Sequence, residues 1–223
     1  MKRNELFRYF FFCLGMVILA FGLTLNTRTG LGATAIIAVS YSISEIQGWN
    51  LGDTTFWMYV VFVAAELVLH RVKYGTKEKM IFMKDILQIP MSLFFTRFLN
   101  LFSIWIPELS GCGALRFLAL ALAIVCTGVG SALMIPMNLV PSPGDGIVKA
   151  AADVAGISTG LSKNITDITC VLFAAGFSLI RTGKLVGVGI GTIAAMLFVG
   201  RVIAVFDHFF KKRLLFLAGQ PGK

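Results

Sequence analysis

The sequence predicts an all-α polytopic membrane protein. It has about six transmembrane helices plus two short re-entrant or broken helices, arranged as two inverted repeats. Three observations carry this. Of 223 residues, 57% are hydrophobic and 14% charged, with a mean hydropathy of +0.84. Soluble domains carry about 25% charged residues and need polar surface to cover their core. An ordinary cytosolic enzyme, a disordered chain and a nucleic-acid-binding domain are therefore excluded. The apolar runs are continuous rather than alternating, which argues against a transmembrane β-barrel. Finally, six runs approach the ~20 residues that a helix needs to span the hydrocarbon core.

The first segment, about 7–26, contains an apolar run from Tyr9 to Leu25 that Lys2, Arg3 and Arg8 precede. Ala33-Thr34-Ala35 imitates a signal-peptidase site, but the run is long for a signal peptide, and a related segment recurs in mid-chain. A retained first helix is expected. Asn26-Thr27-Arg28-Thr29-Gly30 then breaks the helix, and a short apolar piece follows from Gly32 to Ile46. Spans are expected at 54–70 and 86–106, separated by Arg71, Lys73, Lys77, Lys79 and Lys84. The fourth span, 115–137, ends in a proline-rich break before the second short piece, Gly144 to Ala155. Spans at 164–181 and 185–206 complete the set, and the basic cluster Lys211-Lys212-Arg213 follows them.

The 20 basic and 11 acidic residues leave a charge of +9. If all eight segments crossed with the N-terminus inside, the most basic loop would lie outside. If only the six long ones cross, that loop falls inside together with both termini, as the positive-inside rule requires. The loop with Arg181 and Lys184 is the exception. Both termini are accordingly expected in the cytoplasm.

The halves 1–112 and 113–223 resemble each other at an offset of 112 residues: Asn26 with Asn138, Gly32 with Gly144, Gly48 with Gly160, Thr54 with Thr166. Each half reads as a long helix, a break, a short helix and two long helices. Three crossings per half invert the second relative to the first, a recurrent transporter plan in which helix breaks meet near the bilayer middle.

The break from Pro136 to Lys149 is the richest segment. Asp145 opens a short helix and shares a face with Lys149, four residues on. Asp145 either binds a cation, proton or substrate amine with Lys149 as switchable partner, or forms an N-cap and an i,i+4 ion pair. The first-half break offers free N–H groups, threonine hydroxyls and Arg28, which suit an anion; Arg28 alone also reads as an interfacial snorkelling residue. Charges inside apolar runs default to functional hypotheses. Glu66 and His70 form either a proton relay or an i,i+4 pair. Asp167 has Lys163 and Asn164 behind it. Arg97 and Arg201 read as snorkelling residues. Gln88 and Ser92 share a face around Pro90, either lining a cavity or bonding between helices. Gly187 and Gly191 form GxxxG, a helix-packing signal that permits a homodimer.

The sequence has no HExxH, P-loop, GxSxG or metal-spaced His/Cys cluster. No enzymatic activity, cofactor, metal site or nucleic-acid partner is expected, and the four cysteines suggest no disulfide framework.

Asp85-Ile86-Leu87-Gln88-Ile89-Pro90-Met91-Ser92, Pro143-Gly144-Asp145-Gly146-Ile147-Val148-Lys149-Ala150 and Gly191-Thr192-Ile193-Ala194-Ala195-Met196-Leu197-Phe198-Val199-Gly200 resemble motifs of the YitT/YczE-like bacterial membrane proteins. The resemblance covers nearly the whole chain and implies a small duplicated protein of the bacterial cytoplasmic membrane, with transport suspected. Two turns depart from it: Ala33-Thr34-Ala35 follows Gly32 where relatives often carry proline, and Gly189-Ile190 stands where they often carry charge.

The functional expectation is a small secondary transporter moving a small polar or charged solute by alternating access. The expected substrate-binding residues are Asn26, Arg28, Gln88, Ser92, Asn138, Ser142, Asp145, Lys149, Asn164 and Asp167. The alternatives are a solute-binding subunit of a larger transport complex and a non-transport scaffold or regulator.

Overall fold

A computed structural model describes residues 3–75 and 78–219. Lys2 and Lys77, two of the expected cytoplasmic charges, lie outside the described residues. Among the described residues eight α-helices run in order: α1 (Arg3–Arg28), α2 (Ala35–Gln47), α3 (Leu51–Tyr74), α4 (Lys79–Trp105), α5 (Leu115–Met134), α6 (Pro143–Ala155), α7 (Thr159–Thr182) and α8 (Ile190–Leu217). A 3-10 turn, Ile135–Met137, extends α5.

Length divides these helices into two classes. Six stretches, from Asn4–Arg28 to Ile190–Leu217, are long and apolar enough to cross a membrane. The shortest, 23 residues at Leu115–Met137, reaches ~35 Å at ~1.5 Å per residue, beyond the ~30 Å hydrocarbon core. Helices α2 and α6 have 13 residues each, or ~20 Å, and fall short of it. The six long helices carry exposed leucine, isoleucine, valine and phenylalanine along much of their length. Such faces suit lipid, and the chain is a multi-pass helical membrane protein.

The helices form two compact units. The first comprises Met1–Thr34, Leu101–Leu139 and Gly189–Lys223. In it α1 and α5 cross at glycines. A Cβ on Gly130 would lie 2.5 Å from the Leu19 nitrogen and 2.8 Å from the Gly15 carbonyl oxygen, and one on Gly22 would lie 2.6 Å from the Thr127 nitrogen. Small residues allow this backbone approach. Gly128 admits Val202 of α8 against α5 in the same way. The Gly191 N–H, unsatisfied at the start of α8, donates to the Leu31 carbonyl at 2.7 Å. Arg8 donates to the carbonyls of Met137 (2.6 Å) and Asn138 (2.8 Å), which end the α5 extension.

The second unit comprises Ala35–Asn100 and Val140–Val188. Here α2 packs on α7 and α3, and α6 packs on α3 and α7. Exchanging α2 with α6 and α3 with α7, as the 112-residue offset does, leaves this pattern unchanged. Hydroxyls tie the unit together: Ser42 Oγ donates to the Val186 carbonyl at 2.6 Å, and Ser162 Oγ to the Val148 carbonyl at 2.7 Å. The compact units thus cut across the two sequence halves, each drawing helices from both.

Three local expectations are corrected. Gly187 lies outside α8 with φ +82°, so Gly187 and Gly191 do not form a helical GxxxG ridge. Gly187 instead makes room for Ser42, whose Oγ would lie 2.6 Å from an added Cβ. The first break starts later than Asn26, because α1 continues through Arg28, where its last turn bonds Thr27 and Thr29 hydroxyls back to helix carbonyls. The paired asparagines therefore differ: Asn26 is helical and buried, whereas Asn138 is exposed at φ 47°.

Candidate functional site

The candidate site is a polar seam in the second unit, where α3 meets α4 and α6. Glu66, His70 and Lys73 recur at i, i+4 and i+7, so they stack on one face of α3. Asp85, Gln88 and Ser92, at i, i+3 and i+7, likewise share one face of α4. The two helices run antiparallel, so as the α3 number rises its α4 partner falls. Asp53 bonds Arg97 at 2.7 Å, Glu66 bonds Gln88 at 2.6 Å, and His70 bonds Asp85 at 2.7 Å.

Glu66 is the centre. Its side chain is fully buried, as is that of Gln88. Gln88 Nε2 donates to Glu66 Oε2, while Glu66 Oε1 and Gln88 Oε1 have no hydrogen-bond partner. The first turn of α6 reaches this carboxyl because Gly146 has no side chain: an added Cβ would lie 2.7 Å from Glu66 Cδ. That turn is fixed by Pro143 at its start and by Ser142, whose Oγ accepts from the Asp145 N–H at 3.3 Å. Lys149, one turn beyond Gly146, acts electrostatically on Glu66, as does Asp85.

At the C-terminal end of α3, Lys73 Nζ donates at 2.5 Å to both the carbonyl and the Oδ1 of Asp153 on α6. Tyr74 donates its hydroxyl to Asp153 Oδ2. The Lys73 bond, then the Tyr74 bond, hold the Asp153 carboxyl below the usual carboxylate range. Such a group stabilises the fold above its unfolded pKa, ~3.9. The contribution is lost as pH falls through the lower folded value. Asp153→Asn is thus expected to lower the melting temperature at pH 7 by at most a few degrees, as for an exposed pair. The difference from wild type should shrink toward zero below pH ~3.9. A pH-independent difference would assign the effect to packing.

Of the expected site residues, only Gln88 bonds the Glu66 carboxyl. Ser92 is buried beside it but spends its hydroxyl on the Gln88 carbonyl at 2.6 Å. Ser142 bonds Asp145 Oδ2 at 2.9 Å, and no ion pair joins Asp145 to the exposed Lys149. Asp167 is buried and paired with Lys163 at 3.3 Å, and Asn164 is exposed. The other three belong to the first unit. Arg28 is occupied by Glu108 and the Ser103 carbonyl. Asn138 gives its carbonyl to Arg8. Asn26 is fully buried with neither amide atom bonded. Glu66 and His70, read from sequence as a relay or mutual pair, instead each bond to α4. Asp85, the partner of His70, is not among the expected site residues; its signal is the polar face that 85, 88 and 92 share on α4, opposite that of 66, 70 and 73 on α3.

Residues 6–208 match the model of a family of unknown function, DUF6198. The chain belongs to that family. The match runs from the first turn of α1 into α8, so it includes the second compact unit, most of the first and the whole polar seam of this DUF6198 protein. No curated protein and no solved structure matches the chain.

Proposed function

We propose that this DUF6198 protein is a small secondary transporter, moving a small polar or charged solute across the bacterial cytoplasmic membrane by alternating access. The observation that carries this reading is Glu66: a fully buried carboxyl in a helix able to span the membrane, with one oxygen unpartnered. A charged side chain at the centre of a membrane-spanning helix costs ~2.5–3.5 kcal/mol. Packing alone gives no reason to keep it there. The helix arithmetic supports the same reading. Each half supplies three long helices and one short one, so if the short helices do not cross, the halves are inverted. The resemblance to YitT/YczE-like bacterial membrane proteins adds the compartment. The basic residues around Arg71 and Lys79 and at Lys211–Arg213 support an orientation with both termini inside.

In this reading Glu66 and Gln88 form the floor of the solute pathway, with Asp85 and His70 one turn along. Asp145 fixes the α6 turn that covers them. A melting screen of small metabolites on the purified protein would find the solute, since a ligand at about a hundred times its Kd adds ~2.7 kcal/mol to the folded state. In proteoliposomes the wild type is expected to move that solute, and Glu66→Gln to reduce flux to background while keeping its melting transition. Full flux in Glu66→Gln would overturn the reading. Binding without flux in the wild type would make the chain a capture subunit of a larger complex.

A further inference from the structure

Glu66 and Gln88 leave a hydrogen-bond inventory short by one donor. The amide N–H of Gln88 already meets Glu66 Oε2 at 2.6 Å. Two buried oxygens remain without a donor, Glu66 Oε1 and Gln88 Oε1, one from each member of the pair. A neutral carboxylic acid and a primary amide form a closed two-bond ring, N–H to oxygen on one side and O–H to oxygen on the other. One proton added to Glu66 Oε1 satisfies both orphan oxygens at once. We infer that Glu66 is a reversible proton-binding site, its proton held between Glu66 Oε1 and Gln88 Oε1.

The surroundings favour a proton over a larger cation. Hard cations such as Mg2+ and Ca2+ gather about six or more oxygen ligands. This site offers two free side-chain oxygens, and the α6 backbone at Gly146 is packed against the carboxyl. The charged groups acting on Glu66 are Asp85 from α4 and Lys149 from α6. Asp85 is bonded to His70, and Lys149 is exposed and makes no ion pair with Glu66. Helix α2, which also packs on α3, carries Tyr41 and Glu45 as its titratable side chains. His70 stands one turn from Glu66 toward the open end of the seam, where Lys73, Tyr74 and Asp153 meet water. An imidazole takes up a proton on one ring nitrogen and releases one from the other, which suits it to pass protons between Glu66 and that end. Loading makes one O–H bond and one hydrogen bond to Gln88; unloading reverses both and returns the proton to water.

In the transporter read above, this proton is the coupling ion. That part rests on the transport reading, whereas the proton site does not, and two measurements separate them. The first is acid-minus-alkaline difference infrared spectroscopy of the purified protein in lipid nanodiscs, without solute. Every carboxyl that protonates adds a carbonyl band on acidification, so the Glu66 component is the wild-type difference spectrum minus that of Glu66→Gln, whose amide–amide pair can keep both bonds. That component is expected to be present, and to change frequency in Gln88→Leu, which loses the ring. Identical wild-type and Glu66→Gln spectra, or an unchanged frequency in Gln88→Leu, overturn the proton site. So does a sodium-dependent melting shift that Glu66→Gln abolishes in a protein with no such component. The second measurement is flux driven by a pH gradient in proteoliposomes. Wild-type flux that ignores the gradient overturns the coupling. A wild type that moves nothing overturns the transport reading and leaves the infrared result to decide the proton site.

Discussion

Gly130→Leu is expected to destabilise the folded protein by about 3 kcal/mol, the upper part of the range for forcing side-chain volume into a packed site. At this chain length that corresponds to a melting temperature lower by roughly 6–12 °C. The physical reason is the identity of the atoms in the way. A Cβ at Gly130 meets the Leu19 nitrogen at 2.5 Å and the Gly15 carbonyl oxygen at 2.8 Å. Both are α1 backbone, so no rotamer relieves the contact and the helices must separate. Separation also opens the crossing at Gly22 and Thr127, two turns away on α1. Gly200, in the middle of α8, is the control. Nothing lies within 4 Å of its Cβ position, so Gly200→Leu is expected to be neutral or to gain up to ~1 kcal/mol of helix propensity. Thermal melts of the two variants in one detergent test this. Equal shifts would show that the α1–α5 crossing does not depend on glycine.

The contrast between Glu66 and Asp145 shows what sequence could and could not deliver. The lengths of apolar runs located six long and two short helices, because lipid demands long uninterrupted apolar helices and nothing in solution mimics that signal. Ends were less legible. Helix α4 begins at Lys79 and α8 runs to Leu217, since a helix continues past the apolar core wherever its backbone bonds remain intact, charges included. For the site, local density of unusual residues misled. Pro141 to Lys149 holds two prolines, two glycines, an acid and a base, and most of that chemistry goes into starting α6 and letting it approach α3. Glu66 stood alone in an apolar run, and its partner lay 22 residues on. The information was present in a different form: a polar stripe on each of two helices consecutive in the chain, which antiparallel packing brings face to face. The division into compact units that mix the halves was not legible, because local sequence does not encode which distant helices meet.

Gln88→Leu is the second substitution with a large expected effect, and it tests whether Glu66 and Gln88 act as one unit. It removes the donor to Glu66 Oε2 and leaves a buried carboxyl beside an apolar side chain. The expected cost is ~1–3 kcal/mol for a buried polar group left unsatisfied, rising toward ~3–5 kcal/mol where the orphaned group is charged. The double variant Glu66→Leu with Gln88→Leu removes both polar groups and replaces them with apolar volume of similar size. Its stability is expected to return to within about 1 kcal/mol of wild type, because replacing both partners of a buried pair is often close to neutral. The cycle is informative through its sign: the second substitution should repair the first, giving an interaction energy well outside the ~0.3–0.5 kcal/mol scatter of independent sites. Additive losses would mean that the 2.6 Å contact does not couple the two residues, and the seam would then have no centre. A repaired double variant that melts like wild type but moves no solute would separate the two roles of the pair. Its polarity would then be retained for transport and not for stability, which is the property that distinguishes a working intramembrane carboxyl from a packing one.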